Sequence, residues 1–249
     1  MIYLQAVELK RDRVPSFGEY PFDLPVVREL RRIEFTAPVT IFVGENGVGK
    51  STLLEALAIA IGFNAEGGGR NFAFGTRPSH SDLHLYLRLV RPHLRPRDGY
   101  FLRAESFFNV ATRIEELDQV PAPAPPIIDS YGGHSLHEQS HGESFLTLLQ
   151  KRFAGAGLYL LDEPEAALSP TRQLAALARM NQLVALSSQF IIATHSPILM
   201  AYPEAQLLAM SPDGIAPVKY DETEHVVVMR HFMNNRATML AELLRDDGA

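Results

Sequence analysis

Gly44-Glu-Asn-Gly-Val-Gly-Lys50-Ser51 sets glycines, a lysine and a hydroxyl in the spacing G-x-x-x-x-G-K-[ST]. It lies between an apolar run, Val39 to Val43, and a stretch with helical spacing, Lys50 to Gly62. In that context the glycines let successive backbone N–H groups turn inward on phosphate oxygens. The following helix adds the positive end of its dipole. Lys50 would reach the β- and γ-phosphates, and the Ser51 hydroxyl would take a place on Mg2+. Gly44, Glu45, Asn46, Gly47, Val48, Gly49, Lys50, Ser51 and Thr52 are therefore the expected nucleotide-binding residues.

A second constellation is Leu158 to Pro170, LYLLDEPEAALSP, in which four apolar residues run into Asp162-Glu163. Asp162 suits a Mg2+ position, and Glu163 at the strand tip suits a carboxylate that polarises the attacking water. A third, FIIATHSP (Phe190 to Pro197), ends an apolar strand at His195. Adjacent parallel strands deliver their C-terminal ends to one sheet edge, where ligands bind. From there His195 would hydrogen-bond the γ-phosphate or the attacking water. Lys50, Glu163 and His195 are the expected catalytic residues, with Ser51 and Asp162 holding the metal.

Positioning these groups takes alternating strands and helices. The runs Val39 to Val43, Leu158 to Leu161 and Phe190 to Ala193 read as buried strands. Lys50 to Gly62 and Pro170 to Ser187 read as the helices that follow, the second with Ser169 as N-cap and Pro170 at the first helical position. That alternation predicts an α/β fold with a mostly parallel central sheet flanked by helices. Met1 to Lys10 alternates as a further strand. From about 65 to 154 the glycines and prolines, Pro121 to Pro126 above all, predict an inserted, irregular and partly helical lobe. The core would then be about 1–64 and 155–249, within one domain. Two helical stretches, about Glu222 to Asn234 and Ala237 to Arg245, end the chain.

Phosphate loop, LLDEP, ALSP and THSP, in that order, resemble the ATP-binding-cassette (ABC) ATPase superfamily. GENGVGKSTLLEAL, LLDEPE and IIATHSP are similar to its soluble, non-transporter members, the AAA-type ATPases related to the Rad50, SMC and RecF group. The resemblance implies a P-loop fold with an antiparallel N-terminal strand region, ATP as substrate and Mg2+ as cofactor. It also implies a head-to-tail homodimer enclosing two ATP molecules. QSHGESFLTLLQKRF occupies the place of the signature loop, so Ser140, His141, Gly142 and Glu143 would cap the ATP of the second subunit. His141 stands there in place of a glycine. Ser169, in the ALSP turn, would lie at the dimer interface, and Glu105 in YFLRAESFF stands where such proteins carry a glutamine. An aromatic stacked on adenine would be Phe17, Tyr20 or Phe22.

Composition bounds the alternatives. The chain has 249 residues, 46% of them hydrophobic, enough for one sizeable core. It has no cysteine, which excludes disulfides and thiolate metal sites. No apolar run is long enough to span a membrane, and no signal peptide is evident, so the expected location is the cytoplasm. A net charge of −6 weighs against a dedicated nucleic-acid binder. Local basic patches, Arg28, Arg31 and Arg32, then Arg88, Arg91, His93, Arg95 and Arg97, keep a DNA-associated repair or defence role as the alternative. A transporter's nucleotide-binding subunit fits less well, given the altered signature and glutamine positions. His80 and His84, and His134, His137 and His141 with Glu138, read as solvated loop residues and not a zinc site. The partner, protein or nucleic acid, is not named by any residue.

Overall fold

The structure is a computed structural model that describes residues 1–69, 81–120, 125–135, 137 and 141–245, the His141 side chain apart. In chain order the first elements are β1 (Ala6–Leu9), α1 (Pro25–Arg28), β2 (Arg32–Glu34), β3 (Val39–Val43) and α2 (Lys50–Ile61). There follow β4 (Gly68–Gly69), β5 (Leu87–Val90), β6 (Asp98–Arg103), α3 (Phe107–Asp118) and α4 (His141–Thr147). The last are β7 (Gly157–Asp162), α5 (Pro170–Ala185), β8 (Gln189–Ala193), α6 (Pro197–Met200), β9 (Gln206–Ser211), β10 (Gly214–Pro217) and α7 (Glu224–Leu243).

The strands form a seven-stranded sheet, order β10-β9-β3-β8-β7-β6-β4, and a three-stranded sheet, order β2-β1-β5. From β9 to β6 the large sheet is parallel, while β10 and β4 join its edges antiparallel. The small sheet is antiparallel throughout. Every residue of β3, β7 and β8 is buried, as continuous apolar strands covered on both faces must be. Phe42, Leu160 and Ile191 point to one core, shared with α2 and the small sheet. Ile41, Tyr159, Leu161 and Ile192 point to the other, under α3, α4 and α5.

The helix ends follow local chemistry. α2 stops at Gly62 (φ 104°), where the Gly62 and Phe63 N–H groups both reach back to Ala58 O. α5 starts as its sequence predicts: Ser169 Oγ accepts from Arg172 N at 3.4 Å. The two C-terminal helical stretches run as one helix, α7, broken by a non-helical Asn235 (φ −128°, ψ 28°).

The stretch 65–154 does not stand apart as one irregular lobe. Residues 87–90 pair with β1, and β6 pairs with β7 over its whole length. Pro92 and Pro96 precede the apolar run Tyr100-Phe-Leu102 and none falls within it, so no ladder donor is lost there. The run 121–124, the core of the expected proline breaker, lies outside the described residues.

One buried polar side chain ties the chain start to the large sheet. Gln189 Oε1 accepts from the N–H of Tyr3 (2.7 Å) and Leu4 (2.9 Å), and Gln189 Nε2 donates to Leu4 O (2.9 Å). Gln189→Leu strands these three main-chain groups in the core. At about 1–3 kcal/mol for each unsatisfied group, the expected loss is about 3 kcal/mol or more. Urea unfolding would read it as a lower midpoint at constant m-value. A change under about 1 kcal/mol would mean that the segment finds other partners.

Candidate nucleotide site

The parallel strands finish at one level: Phe42 is in register with Ala193, Ala193 with Asp162, and Asp162 with Arg103. The turns beyond them hold Gly44 to Gly49, Glu163, His195 and Glu105, so four separate stretches of sequence meet on one sheet edge.

The phosphate loop needs its glycines for close approach as well as for conformation. Gly44 has φ 147°, and a Cβ there would lie 2.3 Å from Met210 O. Gly49 has φ 108°, and a Cβ would lie 2.7 Å from a Val26 methyl carbon. Glu45, Asn46 and Gly47 are exposed at the loop mouth, while Val48 packs on the core. The Lys50 ammonium lies inside the loop and donates to Gly44 O and Glu45 O, both at 2.8 Å. Burial lowers its pKa, against the opposing pull of Glu163, Asp162 and Glu165.

Ser51 Oγ donates to Asp162 Oδ1 at 2.8 Å, joining the first turn of α2 to the end of β7. A hydroxyl and a carboxylate oxygen on neighbouring elements fit the hard oxygen donors that Mg2+ takes. Burial pushes the Asp162 carboxyl up to about 6; Ser51 and Arg103 pull it down, and Glu163 and Glu105 push it further up.

Glu163 sits in the left-handed region at φ 48°, ψ 52°, a conformation costing a non-glycine residue on the order of 1–3 kcal/mol. Its N–H donates to Ala193 O at 2.9 Å, and its C=O accepts from Ala166 N at 3.0 Å, which pins the turn. The carboxylate, 42% exposed, lies 3.7 Å from His195 Nε2. His195 is held twice: its N–H donates to Glu165 Oε1 at 2.5 Å, and its Nδ1 lies 2.8 Å from Nε2 of His225 on α7. Burial, then Lys50 and His225, lower the imidazole pKa, with Glu163 opposing. His195 is therefore neutral near pH 7.

Arg103 is a residue that motif reading passes over. It pairs with Glu55 at 2.5 Å, and its Nε lies 3.6 Å from Asp162 Oδ2. Glu105, one turn on, is 85% exposed and lies 3.8 Å from Arg103, so the guanidinium stands between it and Asp162. Glu55, a lone acid on an apolar helix, was the available signal for this network. Glu165 and His225 were the other omissions. Glu165 sits inside the quoted DEPEAALSP, whereas nothing local singles out His225.

Of the expected signature loop, Ser140 lies outside the described residues, and His141 begins α4. Gly142 packs tightly, since a Cβ would lie 2.7 Å from Ala167 O, and Glu143 pairs with Arg172 at 3.2 Å. These residues belong to the α5 side of the molecule. Ser169 is engaged as the helix cap described above. Among the adenine candidates, Phe22 is buried edge-on against Tyr86, Phe17 lies beneath the Arg11 guanidinium at 4.5 Å, and Tyr20 is 64% exposed. His80 and Glu138 lie outside the described residues, while His137 stacks on Phe108 and His84 Nδ1 lies 3.1 Å from Ser81 O.

The α/β fold, a mostly parallel sheet with a small antiparallel sheet beside it, is that of P-loop domains of the ATP-binding-cassette type. Residues 17–110 match a family model described as "AAA domain", and residues 144–201 match one described as "AAA domain, putative AbiEii toxin, Type IV TA system". The Drosophila melanogaster DNA repair protein RAD50 is 36% identical over 87 residues, which are 34% of this chain and 6% of that one. The chain thus spans a small part of that relative's length. Among solved structures, the ADP conformation of MJ1267, an ATP-binding cassette of an ABC transporter, superposes with a TM-score of 0.52 at 16% identity. That match covers 96% of this chain and 98% of MJ1267. Parts of the chain thus resemble AAA domains and RAD50, and its fold is that of an ATP-binding cassette.

Proposed function

We propose that the chain hydrolyses ATP with Mg2+, through a homodimer that closes on ATP and drives a change in an unidentified cytoplasmic partner. The observation that carries this reading is the convergence of Lys50, the Ser51–Asp162 pair, Glu163 and His195 on one sheet edge. Lys50 and the loop N–H groups hold the triphosphate. Ser51 and Asp162 hold Mg2+, which supplies positive charge against the phosphate oxygens. Glu163 takes the proton of the attacking water, and His195 Nε2 faces the γ-phosphate. Ser140 to Glu143 cap the ATP of the second copy, with Ser169 beside that interface and Glu105 in the place of the coupling glutamine.

A DNA-associated role draws support from the RAD50 likeness. Against it, four arginines of the basic patches, Arg28, Arg32, Arg88 and Arg91, are engaged within the chain. Arg32 and Arg88 both bind Glu8, and Arg91 donates to Ala60 O. No helix among the described residues is long and apolar enough to cross a membrane.

Lys50→Ala tests the site itself. Losing one charge-assisted contact of about 1.5–3 kcal/mol should weaken binding of a fluorescent ATP analogue roughly 10- to 100-fold. Unchanged affinity would show that the triphosphate binds elsewhere.

A further inference from the structure

His225 belongs to α7, the helix least anchored in the fold: of its residues only Val226 is buried, and Val228, Met229 and Met233 are exposed. Yet its imidazole reaches the nucleotide edge, with Nε2 2.8 Å from His195 Nδ1. The two rings are 5.0 Å apart between centroids and tilted by 57°. The same two histidines share a cavity with Glu45 of the phosphate loop.

One proton lies between the two nitrogens, and its placement decides what His195 offers the nucleotide. If His195 Nδ1 carried it, Nε2 would turn a bare lone pair toward the Glu163 carboxylate at 3.7 Å and toward the incoming γ-phosphate. That is electron pair against anion, in a buried spot where Nε2 has no hydrogen-bond partner among the described residues. If His225 Nε2 carries it, His195 Nδ1 is the acceptor, and His195 Nε2 keeps its own proton and points a donor at both anions. A neutral His195 admits only these two arrangements, and the anions that face Nε2, the Glu163 carboxylate and the incoming γ-phosphate, select the second.

We infer that His225 is a positioning residue for ATP hydrolysis: by donating from Nε2 to His195 Nδ1, it holds His195 in the tautomer that presents Nε2–H to the γ-phosphate. The inference rests on the reading of His195 as the γ-phosphate contact. It also makes α7 part of the site's machinery, because any shift of that helix changes the protonated face of His195.

Two measurements on the full chain test it. The first is nitrogen-15 NMR of the imidazoles without nucleotide, seeking a coupling across the N–H···N bond with the proton on His225 Nε2. A proton on His195 Nδ1, or no coupling, overturns the inference. The second is steady-state hydrolysis by His225→Phe and His225→Gln. Phenylalanine keeps the bulk and removes the donor, whereas the glutamine amide nitrogen reaches nearly the same point and restores it. Loss of one hydrogen bond in the transition state should lower kcat about 5- to 10-fold for Phe at unchanged KM, with Gln within about threefold of wild type. Equal kcat for Phe and wild type, or Gln as slow as Phe, overturns it. The NMR readout needs no ATP, so it decides the histidine pairing independently. A wild-type chain that fails to hydrolyse ATP would remove the functional reading alone.

Discussion

Glu163→Gln is expected to lower ATP turnover by about 10²- to 10⁴-fold, the range for losing a positioned general base, with ATP affinity nearly unchanged. The amide keeps the shape of the side chain and cannot take the proton of the attacking water. In the proposed site the nucleotide is held by other residues, Lys50 and the loop above all, so binding and catalysis should separate. The residue is held by its backbone, through Ala193 O and Ala166 N, and its carboxylate is 42% exposed. Stability should therefore change by about 0.5 kcal/mol or less. Light scattering of the variant with and without Mg2+-ATP then reads the second half of the proposal. A doubling of mass only with ATP supports the closed dimer, since hydrolysis no longer reopens it. Stalled turnover at constant mass would mean that Gly142 and Glu143 do not cap a second copy's nucleotide. Persisting turnover would remove Glu163 as the base.

Asp162→Asn should raise the stability of the metal-free chain and lower its Mg2+-dependent activity. Burial lifts the carboxyl from 3.8 to about 6. Between about pH 4 and pH 6 the folded chain thus holds this proton more tightly than the unfolded chain does. Stability supplied by the protonated form is complete below about pH 4, is lost as pH rises through about 6, and leaves a full deficit above that. A shift of about two units corresponds to about 3 kcal/mol as an upper figure. Asparagine carries no charge to bury and still accepts from Ser51. Its gain should be several degrees in Tm at pH 8, at about 2–4 °C per kcal/mol for a chain of this size, and should vanish near pH 4. A gain of equal size at both pH values would trace the effect to packing and not to the buried charge. Mg2+ titrated against the wild type should recover the same stability at pH 8, and should not do so for the variant.

Short-range chemistry carried most of the architecture. An apolar run such as Val39–Val43 has few ways to be buried except as a central parallel strand. The Gly62 stop and the Ser169-Pro170 start mark helix ends through bonds made within one turn. The phosphate loop is equally local, because its glycines, lysine and serine act within eight consecutive residues. The 65–154 stretch was harder to read because proline content describes breaks and says nothing about what lies between them. Tyr100-Phe-Leu102 is a short strand whose pairing with β7 is decided by contacts across more than fifty residues.

The candidate site divides along the same line. Lys50, Ser51, Asp162, Glu163 and His195 announce themselves, since each sits at the end of an apolar strand or in a turn with recognisable chemistry. Arg103, Glu55, Glu165 and His225 do not, because their roles depend on which strand lies beside which. Arg103 meets Asp162 only through the β6–β7 register, and Glu55 meets Arg103 only because α2 packs over that edge. His225 reaches His195 across thirty residues, from a helix whose own pattern reads as surface. Strand ends and turns are written in consecutive residues, so the motifs could be read directly. The charges and tautomers that tune them come from side chains brought within 4 Å by tertiary packing, which no local pattern specifies.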